Sequence, residues 1–161
     1  MVAGAGSAGA RTYGNDAFGI SVEIPRQLLM CRSLPPAPDR GFVVMLGAGT
    51  CDDEHAPRIS LALSYNALLE HRSTQQVARD WCGGGQATWA PFAAGGVRMM
   101  VCDRPSLGGL ATRLFIALRA VPGVWFGEWV VLAISVQCGA DEMPECTKVA
   151  GELARGVRWR H

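Results

Sequence analysis

The chain is expected to fold as an α+β domain, with an antiparallel sheet of about six or seven strands flanked by two helices and held by disulfides. Three observations carry that expectation. Strand-like segments come in runs joined by local turns, without the regular strand–helix alternation that builds a parallel sheet. Ile59, Leu61, Leu63 and Tyr65 alternate with Ser60, Ala62 and Ser64, the period of a half-buried strand. Finally, six cysteines are dispersed through 161 residues without a single Cys-x-x-Cys pair.

The elements follow in order. Phe18, Ile20, Val22 and Ile24 form one face of a first strand, and Pro25 stops it by removing a ladder donor. A short second strand spans Leu28 to Arg32. Pro35, Pro36, Pro38, Asp39 and Gly41 then make a turn-rich connection to a more fully apolar run, Gly41 to Leu46. A loop over Gly47 to Pro57 carries Cys51 and the densest polar cluster, and the alternating strand Ile59 to Tyr65 follows. Ser73 with Gln76 has the spacing of a capping box, so a helix starts there, with Val77 and Trp81 one turn apart. Gly83, Gly84 and Gly85 end it, because glycine takes the left-handed conformation of a C-cap without strain.

Two extended runs, Gln86 to Ala93 and Val97 to Asp103, flank Ala94-Gly95-Gly96 as a hairpin. Arg113 to Ala120 and Trp125 to Gln137 flank Pro122-Gly123 as another. A last helix begins near Asp141, with Glu142, Pro144 and Glu145 suited to its first turn. Cys146, Val149, Ala150, Leu153 and Val157 give it an apolar stripe, leaving Lys148, Glu152, Arg155 and Arg158 toward water.

The first strand FGISVEIP at residues 18–25, the helix after the early strands, the paired hairpins and the closing amphipathic helix together resemble the PsbP-like fold. That group includes photosystem accessory proteins and many exported bacterial proteins and lipoproteins of unassigned role. The resemblance covers about residues 16 to 161, is one of architecture, and carries over no functional residues. Its cysteines are not part of the common pattern. Residues 1–15 read as a flexible tail or expression remnant, and 16–161 as a single α+β domain. Gly4, Gly6 and Gly9 match the dinucleotide fingerprint in spacing, but no strand precedes them.

Composition narrows the function classes. Hydrophobic residues at 49% and charged residues at 18% describe a folded chain. A formal charge of +1 provides no clustered basic excess for nucleic acid or anionic lipid. The apolar run Trp129 to Val136 falls well short of the roughly 20 residues that span a bilayer. The first ten residues lack the basic and long apolar regions of a signal peptide, so an exported protein is expected to have lost its signal already.

Cys31, Cys51, Cys82, Cys102, Cys138 and Cys146 fit neither the knuckle spacing of structural zinc nor a redox pair, and are expected to form three disulfides. Spacing leaves the connectivity open. The sequential set, 31 with 51, 82 with 102 and 138 with 146, is the working choice, against six buried free thiols as the alternative. Disulfides place the chain in an oxidising compartment, periplasmic or extracellular.

Asp52, Asp53, Glu54 and His55 form an acidic knob for a basic partner, or oxygen ligands for calcium, although no EF-hand spacing follows; a solvated loop is the plainer explanation. Cys51 with His55 as nucleophile and base lacks an orienting group. His71 and His161 have no ligand-spaced companions, and Arg155, Arg158 and Arg160 suit a helix C-terminus. Trp81, Trp89, Trp129 and Trp159 are expected to fill core and edges. Trp125 and Phe126, at a predicted hairpin tip, are the pair most suited to meet a partner. The reading is therefore a non-enzymatic, exported protein-binding domain, such as an immunity or inhibitor protein that blocks a toxin or enzyme, with no cofactor, metal or catalytic residue. An accessory or assembly factor of an envelope complex is the alternative within that class, and a small hydrolase using the Asp52 to His55 loop the alternative outside it.

Overall fold

The computed structural model describes residues 10–31, 34–36, 39–65, 72–121 and 129–160. Alternation in the strands divides their side chains between two faces of a 7-stranded antiparallel sheet. In chain order its strands are β3 (Leu29–Cys31), β4 (Gly41–Met45), β5 (Arg58–Tyr65), β6 (Thr88–Ala94), β7 (Val97–Leu107), β8 (Leu110–Ala120) and β9 (Trp129–Cys138). Their spatial order is β3-β4-β5-β9-β8-β7-β6. The pairing of β5 with β9, from Arg58 opposite Gln137 to Tyr65 opposite Val130, brings the early strands against the late hairpins.

A second sheet, of 3 strands, takes β1 (Ala10–Asn15), β2 (Ile20–Pro25) and β10 (Val157–Trp159), with β2 in the middle. Helix α2 (Met143–Arg155) packs on β2, β6 and β9, so it and the small sheet cover one face of the large one. Val22 and Ile24 from β2, Ala150 and Leu153 from α2, and Phe42, Leu61, Phe115 and Ile134 from the large sheet share this main core. The opposite face carries helix α1 (Thr74–Trp81), whose Val77 and Ala78 pack with Met100, Leu114, Ile116 and Ala133. One strand thus feeds two cores: Phe115 and Ala117 face α2, whereas Leu114, Ile116 and Leu118 face α1.

The α+β class, the antiparallel sheet and the two helices are as expected, with differences in the elements. Residues 10–15, grouped by sequence with the tail, form β1, paired with β2 from Ala10 opposite Pro25 to Asn15 opposite Ile20. Phe18 lies in the turn before β2 and is buried there, stacked on Tyr65. Val157 belongs to β10, because α2 stops at Arg155 and Gly156 closes against the backbone oxygen of Glu23. Strands β7 and β8 run on past Asp103 and Arg113 and turn at Gly108 and Gly109. Ser73 caps α1 as expected: its hydroxyl accepts from the Gln76 N–H, and the Gln76 side chain accepts from the Ser73 N–H. The expected turn at Pro122-Gly123 lies outside the described residues.

All six cysteines are bonded, in the sequential pairs. Cα–Cα distances are 5.6 Å for Cys31–Cys51, 6.1 Å for Cys82–Cys102 and 6.6 Å for Cys138–Cys146. Each ties a loop or a helix end to a strand or its flank.

Candidate functional site: a tethered acidic loop beside an apolar groove

The loop between β4 and β5 is held at its base and along its length. Leu46 N–H donates to Pro57 O at 3.0 Å, and the Cys31–Cys51 disulfide ties the loop to the edge strand β3. Ala56 is buried against Cys31, Val43 and Met45, anchoring the returning limb. At the tip Asp53 folds the chain on itself: its Oδ1 accepts from the His55 backbone N–H at 3.0 Å. Its carbonyl oxygen accepts from Arg58 Nη2 at 2.6 Å. What remains outside is the polar set itself, since Asp52, Asp53, Glu54 and His55 are all exposed.

The structure therefore brings these four residues together on one compact loop, as sequence suggested. It gives Asp53 and His55 a side-chain-to-backbone contact, which shapes the loop rather than pairing a carboxylate with an imidazole. Trp125 and Phe126, the other suggested binding pair, lie outside the described residues, as do His71 and His161.

Next to the base of this loop is an open groove of about 430 Å³. Leu28, Leu46, Pro57 and Val149 make it apolar, and Cys146 of the Cys138–Cys146 disulfide lies in its wall. Asp141, Glu142 and Glu145, all exposed, form its rim at the start of α2. No Lys or Arg lines it; Lys148 Nζ meets Glu145 Oε1 at 3.0 Å on the rim, and on the opposite wall Arg11 Nη2 donates to the Leu28 backbone oxygen at 3.3 Å. Three acidic groups gather there because the helix N-terminus favours negative charge. The groove has no mark in the sequence, since its apolar members come from four separate segments and each looks like ordinary core. The local signal for it is the acidic start of α2, which helix chemistry alone also explains.

Cys138, Glu142 and Cys146 place their ligand atoms within 4.8 Å of one another, but both sulfurs are joined in the disulfide and offer no thiolate to a metal. A polar cavity of about 270 Å³ lies elsewhere, between β6, β7, β8 and α2. There Arg113 Nε donates to Asp103 Oδ1 at 2.7 Å and Arg113 Nη1 to Thr147 Oγ1 at 3.3 Å. The bond to Asp103, opposed by partial burial, raises the guanidinium pKa, so this arginine is a fixed cation already matched by its own carboxylate. The tryptophans divide: Trp159 is buried, Trp129 packs beneath α1, and Trp81 and Trp89 are exposed, with the Arg98 guanidinium 3.9 Å above the Trp89 ring.

No family model matches the chain, and no curated protein matches it in sequence. Among solved structures it is similar to cyanobacterial PsbP of Synechocystis, at 10% identity and a TM-score of 0.53 over 99% of this chain and 97% of that one. It is also similar to LpqN of Mycobacterium tuberculosis, a protein involved in cell envelope biogenesis, at 13% identity and a TM-score of 0.56 over 88% and 83% of the two chains. The Ran-binding protein Mog1p of Saccharomyces cerevisiae follows, at 13% identity and a TM-score of 0.50 over 93% and 95%. Likeness at this identity establishes the fold, which is PsbP-like.

Proposed function

We propose that this PsbP-like chain is an exported, non-enzymatic protein-binding domain whose acidic loop docks on a basic surface of its partner. The observation that carries the proposal is the exposure of Asp52, Asp53, Glu54 and His55 on a loop already held by a disulfide, an Asx turn and Arg58. A loop fixed before binding loses little conformational entropy on docking, and clustered carboxylates steer a basic partner in and fix its register. Three disulfides support an oxidising compartment, hence export.

An immunity or inhibitor protein that blocks a toxin or enzyme is the finer form of this reading, because an acidic plug suits a basic active-site cleft. The likeness to LpqN favours a second form, an accessory factor of an envelope complex. Capture from the source organism's exported proteins tests both. The triple substitution Asp52→Asn, Asp53→Asn, Glu54→Gln is expected to abolish retention of a partner that the unsubstituted protein holds and that salt releases. Retention unchanged by the substitution sinks the loop reading. Hydrolysis of a substrate panel that disappears in His55→Ala while the fold survives establishes the hydrolase alternative instead.

A further inference from the structure

We infer that the groove between the acidic loop and α2 is a second subsite of the same surface, which takes an apolar side chain of the partner flanked by Lys or Arg. The inference rests on the protein-binding reading above and extends it from a charge match to a defined partner chemistry. Leu28, Leu46, Pro57 and Val149 supply apolar walls, and a side chain entering between them leaves water for hydrocarbon. Its backbone neighbours then meet Asp141, Glu142 and Glu145 on the rim.

Charge decides the occupant. The whole chain is nearly neutral, with 15 Lys and Arg against 14 Asp and Glu, so a rim with three carboxylates at the start of α2 is a local segregation, with Arg11 held apart on the Leu28 backbone oxygen of the opposite wall. Lys148 is spent on Glu145 and leaves Asp141 and Glu142 facing outward. Gly47 and Pro57 line the groove and also begin and end the acidic loop, so one basic segment can lie along both. An apolar centre inside a polar, solvent-accessible rim is the usual anatomy of a protein interface. An anionic lipid or acidic peptide meets the same rim as repulsion.

The test uses a labelled twelve-residue peptide of alternating Leu and Lys, its Leu and Glu counterpart, and a Lys and Ser version lacking apolar residues. The oxidised full chain is expected to bind the first alone, more weakly as salt rises. Glu142→Gln with Glu145→Gln, both exposed, should weaken that binding roughly tenfold while the folded near-ultraviolet circular dichroism is kept. Val149→Trp, which fills the groove from one half-buried position, should abolish it while the near-ultraviolet circular dichroism of the fold persists.

Failure of the Leu and Lys peptide to bind, or equal binding of all three peptides, overturns the inference. So does binding that survives both sets of substitutions. Preferential uptake of a cationic alkylammonium in place of the peptide assigns the groove to small amphiphiles and overturns it as well. The loop reading fails separately: if the Asp52, Asp53, Glu54 substitution leaves partner capture intact while Val149→Trp removes it, the groove stands and the loop does not. The reverse pattern removes the groove and keeps the loop.

Discussion

Trp159 on β10 donates its indole N–H to the backbone oxygen of Ala94 on β6 at 3.0 Å, across 65 residues of chain. The bond is buried and joins the small sheet to the edge of the large one. Gly95 completes the joint: at φ 55 its N–H donates to Ala154 O at 3.1 Å. A Cβ there would stand 2.7 Å from Val157 O and 2.9 Å from Trp159 Cδ1.

Trp159→Phe keeps most of the apolar volume but leaves a buried acceptor without its donor, and is expected to cost about 1–3 kcal/mol in urea unfolding. Gly95→Ala should cost more, since it adds left-handed strain to a backbone collision. Equal stability of all three proteins shows that the two sheets are not coupled through this contact.

Much of this joint was hidden in the sequence, for physical reasons. Val157 continues the helical spacing of Leu153 and Ala150, so nothing in periodicity marks it as a strand; the break comes from Gly156 packing on the Glu23 backbone, a tertiary contact. Residues 10–15 lack alternation because β1 is held mainly by ladder bonds to β2, with Tyr13 reaching the main core. By contrast, the Ser73 cap, the Ile59 to Tyr65 alternation and the Gly95-Gly96 turn are local patterns with local causes, and they were readable. The acidic loop was legible as four adjacent residues, whereas the groove depends on long-range assembly.

The disulfides make a prediction about both redox state and stability. Alkylation of denatured, unreduced protein is expected to add no mass, because all six sulfurs are paired. Removing Cys31–Cys51 by double serine substitution should cost about 3 kcal/mol through the freed unfolded chain, and the shorter Cys138–Cys146 link somewhat less. Six reactive thiols in protein made under oxidising conditions refute the pairing and, with it, export.

Tyr65 is expected to contribute to the loss of stability at alkaline pH. Burial raises its pKa, opposed in part by the positive charge of Arg40, while its hydroxyl donates to Ala17 O and its ring stacks on Phe18. A phenol whose folded pKa is raised contributes stability that is full below the unfolded value near about 10 and is lost as pH climbs through the folded value. The urea midpoint of the unsubstituted protein should therefore fall more steeply than that of Tyr65→Phe above roughly pH 10. Parallel decline of the two proteins excludes Tyr65 as the source.

Asp53 separates the shape of the acidic loop from its charge. Its carboxylate accepts the His55 N–H and so builds the turn, while the same group contributes to the acidic face offered to a partner. Asp53→Asn keeps an oxygen acceptor and removes the charge; Asp53→Ala removes both. The asparagine variant is expected to unfold at the same urea concentration as the parent and to bind its partner severalfold more weakly, with less salt dependence. The alanine variant should show the same loss of binding and, in addition, about 1 kcal/mol less stability from the broken turn. If asparagine binds as tightly as aspartate, charge at this position plays no part in recognition and the loop acts through shape alone. If asparagine also destabilises the fold, the turn depends on the charge of the carboxylate and not only on its oxygen acceptor.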